Sequence, residues 1–131
     1  MTALLDSNCL CQSQQTYQDC CGRFHTHTKF PETAEQLMRS RYAAYVLKNV
    51  SYIVETTVPS QRALLNVQAI QTWAEETQWV GLQILNTESL TKTQSAVEFH
   101  AVFQGEEGEQ THHERSIFVK IDDRWYFVDP T

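Results

Sequence analysis

All four cysteines of the chain fall between Cys9 and Cys21, and none occurs after that point. A disulfide-framed domain spreads its bridges through the fold, whereas a tight cluster points to a thiol metal site in a reducing compartment. The spacing is Cys9-x-Cys11, eight residues, then Cys20-Cys21. Four soft thiolates in one short loop suit a single structural Zn²⁺ in tetrahedral geometry, although both arms are tighter than the usual separation of roughly two to four residues. Two other thiol states compete. One is four free buried thiols. The other is a disulfide from Cys20 or Cys21 to Cys9 or Cys11, because adjacent cysteines bridge one another poorly. His25 and His27 lie close enough in sequence to replace one thiolate, with solvated loop histidines as the plainer reading. Residues 1–29 hold few large apolar side chains (Leu4, Leu5, Leu10, Tyr17 and Phe24), so this segment needs a staple to be ordered.

After Pro31 the pattern turns regular. Thr33-Ala-Glu-Gln36 is a capping box. Behind it Ala34, Leu37, Met38, Arg41, Tyr42 and Tyr45 make one face of a helix running to about Lys48. Asn49 or Ser51 caps a short second helix that Pro59 stops, and Asn66 caps a third carrying Val67, Ile70, Trp73 and Ala74. Beyond Gln78 the period becomes two, which predicts strands over 79–90, 94–105, 110–121 and 124–128. Turns are expected at 106–109, where Gly108 supplies a positive φ, and at Asp122-Asp123. Helices followed by antiparallel strands is the α+β pattern, with helices laid on one face of a curled sheet of about four strands. The predicted division is 1–28 for the cysteine segment and 29–131 for the α+β body. The first 24 residues are expected to behave as a metal-stapled appendage whose loss leaves that body folding cooperatively.

At 131 residues the chain is one domain's worth of sequence on a prior of about 100–200 residues. Its net charge of −6 offers no bulk attraction for nucleic acid or an anionic membrane. No run approaches the roughly 18 apolar residues of a membrane span. Met1-Thr-Ala-Leu-Leu-Asp6 has neither the basic nor the apolar region of a signal peptide, so a cytoplasmic location is expected.

Residues 9–22 resemble the SEC-C motif, the zinc knuckle found at the end of the preprotein translocase SecA and on many small bacterial proteins. The retained positions are Cys9, Cys11, Ser13, Tyr17, Cys20, Cys21 and Gly22. The remainder is similar to the YchJ family through Leu37-Met-Arg-Ser-Arg-Tyr42-Ala-Ala-Tyr45, Trp79-Val-Gly-Leu82, Glu114-Arg-Ser116 and Trp125-Tyr126. The resemblance implies an N-terminal zinc knuckle followed by a cystatin- or nuclear-transport-factor-2-like cone, with no established activity. Where the knuckle has a proline and two glycines this chain has Leu10, Gln12 and Gln14, and where it has lysines this chain has Gln15, Thr16, Gln18 and Asp19. The lost lysines argue against electrostatic docking to an acidic partner. The second knuckle of longer relatives is expected to be missing, since the sequence ends at Thr131.

A cone of this kind encloses a pocket, so polar residues that interrupt apolar faces are the candidates for chemistry. Arg41 lies inside the apolar stripe of the first helix and calls for a carboxylate, with Glu114 expected first and Glu98 and Asp129 as alternatives. The pair reads either as a structural tie between helix and sheet or as an anion-binding group at the cone mouth. Arg39 should face solvent and is a weaker candidate. At most one of His112 and His113 can face inward, and Trp73, Trp79, Trp125 and Tyr126 are expected in the core. No catalytic residue is assigned. The expected function is a small zinc-binding protein whose cone binds an unidentified protein or small molecule. The alternatives are an enzyme acting in the cone, with Arg41 and Glu114 as polar handles, and a thiol redox sensor.

Overall fold

Asparagine or threonine side chains start three of the helices, each accepting a backbone N–H that the first turn leaves unpaired. Thr33 Oγ1 accepts from Gln36 N at 3.1 Å, Asn49 Oδ1 from Tyr52 N at 3.2 Å, and Asn66 Oδ1 from Ala69 N at 3.0 Å. The capping box closes one residue early, because Gln36 Oε1 accepts from Glu32 N rather than from Thr33. These details come from a computed structural model, which describes residues 7–130. The expectation about a signal peptide, and Leu4 and Leu5, lie outside the described residues.

Helix α1 (Cys21–His25) closes the cysteine loop. Then follow α2 (Ala34–Val46), α3 (Val50–Glu55), a 3₁₀ turn (Pro59–Leu64) and α4 (Val67–Glu76). The 3₁₀ turn has no periodic apolar face to announce it, and none of its residues is buried. Strands β1 (Gln78–Thr91), β2 (Gln94–Gly105), β3 (Gly108–Ile121) and β4 (Arg124–Val128) form one antiparallel sheet in chain order. Asp122 and Asp123 both adopt positive φ, the geometry of a two-residue hairpin, and Gly108 sits at φ 113 as its turn requires. Irregularities in the β1–β2 ladder at Trp79/Gly81, Ile84/Asn86 and Ser89/Thr91 bend the sheet. The end of α3 is stitched beside β4, with Val58 N donating to Phe127 O at 2.8 Å and Phe127 N to Thr56 O at 2.7 Å.

Helix α2 crosses the inner face of the curled sheet, and its buried residues extend around more than the predicted stripe. Leu37, Met38 and Tyr42 pack with Leu82, Val97, Phe99, Ala101 and Phe118 of the sheet. Ala44 packs instead with Phe24, Tyr52 and Ile53 of α1 and α3. The same cluster that fills the cone contains Cys9, Cys11, Tyr17, Cys20 and Cys21. The cysteine loop is therefore no loose appendage, contrary to the expectation from its sparse apolar content. Its buried side chains are the four cysteines and the Tyr17 ring, in one cluster with residues of α2 and of the sheet.

Candidate metal centre and cone cavity

The cysteine loop folds back on itself through local hydrogen bonds. Cys9 N donates to Gln15 O at 2.7 Å, Tyr17 N to Ser7 O at 2.8 Å, and Gly22 N to Tyr17 O at 2.8 Å. A Cβ on Gly22 would stand 2.7 Å from that same Tyr17 oxygen, so the approach of α1 to the loop needs glycine. The result brings both cysteine pairs to one point. All four Sγ atoms lie within 4.8 Å of one another and all four residues are buried. Cys11 Sγ is 3.6 Å from Cys20 Sγ, which is 3.9 Å from Cys21 Sγ. A tetrahedral centre with metal–sulfur bonds of about 2.3 Å has sulfur–sulfur edges of about 3.8 Å, so the donor set fits a tetrahedral ion. None of the four is in a disulfide.

Crowded thiols without a cation share protons unequally. Hydrogen bonding from Cys21 holds Cys11 far below the ordinary thiol range and brings Cys20 down to about 6. Hydrogen bonding to Cys11 pushes Cys9 up to about 11 and pushes Cys21 far higher. The cluster favours some thiolates and resists the rest, which is the electrostatic frustration a divalent cation relieves. Ser13 Oγ lies 3.1 Å from Cys20 Sγ and supports the sulfur from the loop side.

Neither nearby histidine joins the thiols. His25 is partly buried rather than solvated: its Nε2 lies 2.9 Å from Ser40 O and its Nδ1 2.6 Å from Tyr17 OH. A carbonyl only accepts, so Nε2 carries the proton and Nδ1 accepts from the tyrosine. His27 is exposed and contacts the Glu55 carboxylate at 2.8 Å. Arg39 also departs from its expected place in solvent. Its Nη1 donates to Cys11 O at 2.8 Å and its Nε to Glu35 at 3.0 Å, strapping the loop to α2.

A second feature lies on the other side of α2, where a cavity of about 180 Å³ opens between that helix and the sheet. Arg41, Tyr45, Trp79, Phe99, Glu114 and Phe127 are among its lining residues. Arg41 is 6% exposed, as its position in the stripe requires. The expected Arg41–Glu114 ion pair is not formed. Arg41 Nη1 donates to Ile53 O at 2.9 Å, to Thr56 Oγ1 at 2.7 Å and to Thr57 Oγ1 at 3.4 Å, and its guanidinium carbon lies 4.2 Å from the Phe127 ring centroid. The C-terminal end of α3 offers those acceptors nearer than any strand carboxylate. Glu114 accepts instead from His112 Nε2 at 2.9 Å and from the Ser116 hydroxyl. Glu98 faces away from the cone, 2.6 Å from His113 Nε2, because period-two alternation puts it opposite Val97 and Phe99. Burial lowers the Arg41 guanidinium to about 10, opposed by the smaller raising effects of Tyr45, Tyr52, Asp129 and Glu114 through space. Of the adjacent histidines, His112 is the one that lines the cavity.

Residues 33–130 match the family model described as the YchJ middle NTF2-like domain. The chain belongs to the YchJ family. Residues 7–23 match the SEC-C motif. The YchJ chain is 72% identical over 130 residues to a UPF0225 protein of Haemophilus influenzae, covering 99% of this chain and 81% of that one. A UPF0225 protein of Actinobacillus succinogenes is 54% identical over 132 residues, covering 100% and 83%. Among solved structures, a SEC-C motif containing protein from Psychrobacter arcticus superposes with a TM-score of 0.91 at 40% identity, over 98% of this chain and 84% of that one. A SEC-C motif containing protein from Rhodopseudomonas palustris gives a TM-score of 0.86 at 46% identity, over 93% and 95%. The α+β YchJ cone with its N-terminal cysteine loop is thus a shared architecture. No helix among the described residues is long and apolar enough to cross a membrane.

Tyr45, Trp73 and Trp79 line the cavity, whereas amphipathic spacing alone marks such residues as core. Periodicity identifies the inward face but not whether the space behind it is filled. Trp73 is 47% exposed, and that exposure had no signal in the sequence.

Proposed function

We propose that this protein is a small zinc-binding module of the YchJ type. One Zn²⁺ per chain is held by Cys9, Cys11, Cys20 and Cys21, and the ion is structural. The observation that carries this reading is the convergence of four buried Sγ atoms within 4.8 Å on tetrahedral spacing. Four thiolates select a soft or borderline ion, and a site that fills all four positions from the protein leaves none for substrate or activated water. A reducing cytoplasm keeps such thiols available to metal. The cone acts as a binding unit for a small molecule or a protein partner rather than as a catalyst. Supporting that half, Glu114, the carboxylate of the cavity, is committed to His112 and Ser116, while Arg41 is held by Ile53, Thr56 and Thr57 through Nη1 alone.

Elemental analysis of the reduced, purified protein should find about one zinc per chain, and Cys20→Ser should lose most of it. Reduced protein without tightly held metal would remove the proposal.

A further inference from the structure

We propose that the cone cavity is a site for a compact organic anion, a carboxylate carried on a single ring-sized apolar body, with Arg41 as its counter-charge. The inference rests on reading the cone as a binding unit and specifies the ligand class.

Arg41 is almost wholly withdrawn from water, yet its hydrogen-bond acceptors are a carbonyl and two hydroxyls, all neutral. Only Nη1 is engaged; Nε and Nη2 make no hydrogen bond to the described residues. A guanidinium lowered to about 10 is still a cation at neutral pH. Burying a cation without a contacting anion is costly, and the one free edge of the planar fork, Nε with Nη2, matches a carboxylate. Glu114 shares the cavity but spends its oxygens on His112 and Ser116. A second donor in the same wall lacks an acceptor: Trp79 lines the cavity, and its Nε1 is buried with no partner among the described residues. The rest of the lining is largely aromatic and aliphatic, including Met38, Phe99 and Phe127. An engineered apolar cavity of about 150 Å³ holds benzene, so about 180 Å³ accommodates one ring and little more.

The test uses the full zinc-loaded chain and three isosteric probes: benzoate, benzamide and benzamidine. Binding is read from the indole N–H resonance of Trp79, assigned with Trp79→Phe. Benzoate is expected to bind about tenfold more tightly than benzamide, because charge-assisted bonds are roughly twice as strong as neutral ones. Benzamidine should bind least. Arg41→Lys keeps the charge and loses the fork, and should weaken benzoate about fivefold. Should that variant fail to fold, Glu114→Gln carries the test, because deleting the like charge should tighten benzoate about threefold. Benzamide or benzamidine binding as well as benzoate would overturn the anion assignment and leave a binding cone in place. A Trp79 resonance that none of the three probes moves would overturn the assignment and also count against a small-molecule role for the cone.

Discussion

Gln12 and Gln14 occupy backbone conformations that a side chain normally avoids, with φ of 66° and 71°. These are the two positions at which the SEC-C knuckle resembled here has glycine. Gln12 gains something in return: its amide oxygen accepts from Leu82 N at 3.1 Å and its Nε2 reaches Val80 O at 3.4 Å, satisfying the bulged start of β1. Gln14 is exposed and has no such bond among the described residues. Gln14→Gly should therefore raise stability by about 0.5–1 kcal/mol, because the left-handed conformation no longer strains a Cβ. Gln12→Gly should give no gain, since it also strips an acceptor from Leu82 N. Urea midpoints of the metal-loaded variants would show the contrast, and equal shifts would defeat it. A pH effect belongs to the same scale. Burial lowers the His25 pKa from its ordinary 6.5, so the folded protein keeps the ring neutral where the unfolded chain takes up a proton. The unfolded state then binds more protons just below 6.5, and stability must fall as pH drops through that value toward the lower folded pKa. Urea unfolding between about pH 7.5 and 5.5 should show this slope, and His25→Asn should flatten it. An unchanged slope in the variant would assign the acid sensitivity to other groups.

At the scale of elements, α2 is the piece on which everything else is mounted. Its apolar stripe meets the sheet, while Ser40 and Ala44 on other faces meet α1 and α3. The Ser40 hydroxyl lies 2.7 Å from Tyr52 OH, so even this polar position is satisfied inside. Small residues there permit the close approach, and no periodicity rule flags them as buried. Arg39 adds the strap to the cysteine loop, with one guanidinium serving both Glu35 and Cys11 O. Arg39→Ala should cost about 1–2 kcal/mol and quicken metal loss to a competing chelator. Arg39→Lys should fall between, since a point charge cannot span both acceptors. A stability loss of only about 0.2 kcal/mol would show that the strap is a surface ion pair of the ordinary weak kind.

For the whole molecule, the consequence is that loop and cone share one core. Cys11 and Cys21 are among its most completely buried side chains, next to Leu37 and Val97. Metal bound there stabilises folded protein over unfolded, and structural zinc sites in peptides are worth about 10–16 kcal/mol in apparent binding energy. Withdrawing the ion with a strong chelator should therefore lower the unfolding temperature of the cone along with that of the loop, and circular dichroism of the aromatic residues should report both. A cone that melts unchanged after chelation would restore the picture of an independent appendage.

How much of this was legible beforehand depends on the range of the interaction. The capping residues Thr33, Asn49 and Asn66, the strand alternation and the Asp122-Asp123 turn are local, so residue order alone specifies them. The cysteine cluster was legible for the same reason, since its four thiols lie within one loop and need no distant partner to converge. Arg41 and Arg39 were not. Sequence places both on α2 and marks Arg41 as inward, but the choice between a carboxylate of β3 and the carbonyl and hydroxyls at the end of α3 is made by which group the fold brings nearer. The Arg39 contact to Cys11 O joins residues 28 apart, and the cavity beside Arg41 is the space left between a bent sheet and a helix. Such features depend on the relative placement of elements, to which a one-dimensional pattern of polarity is blind.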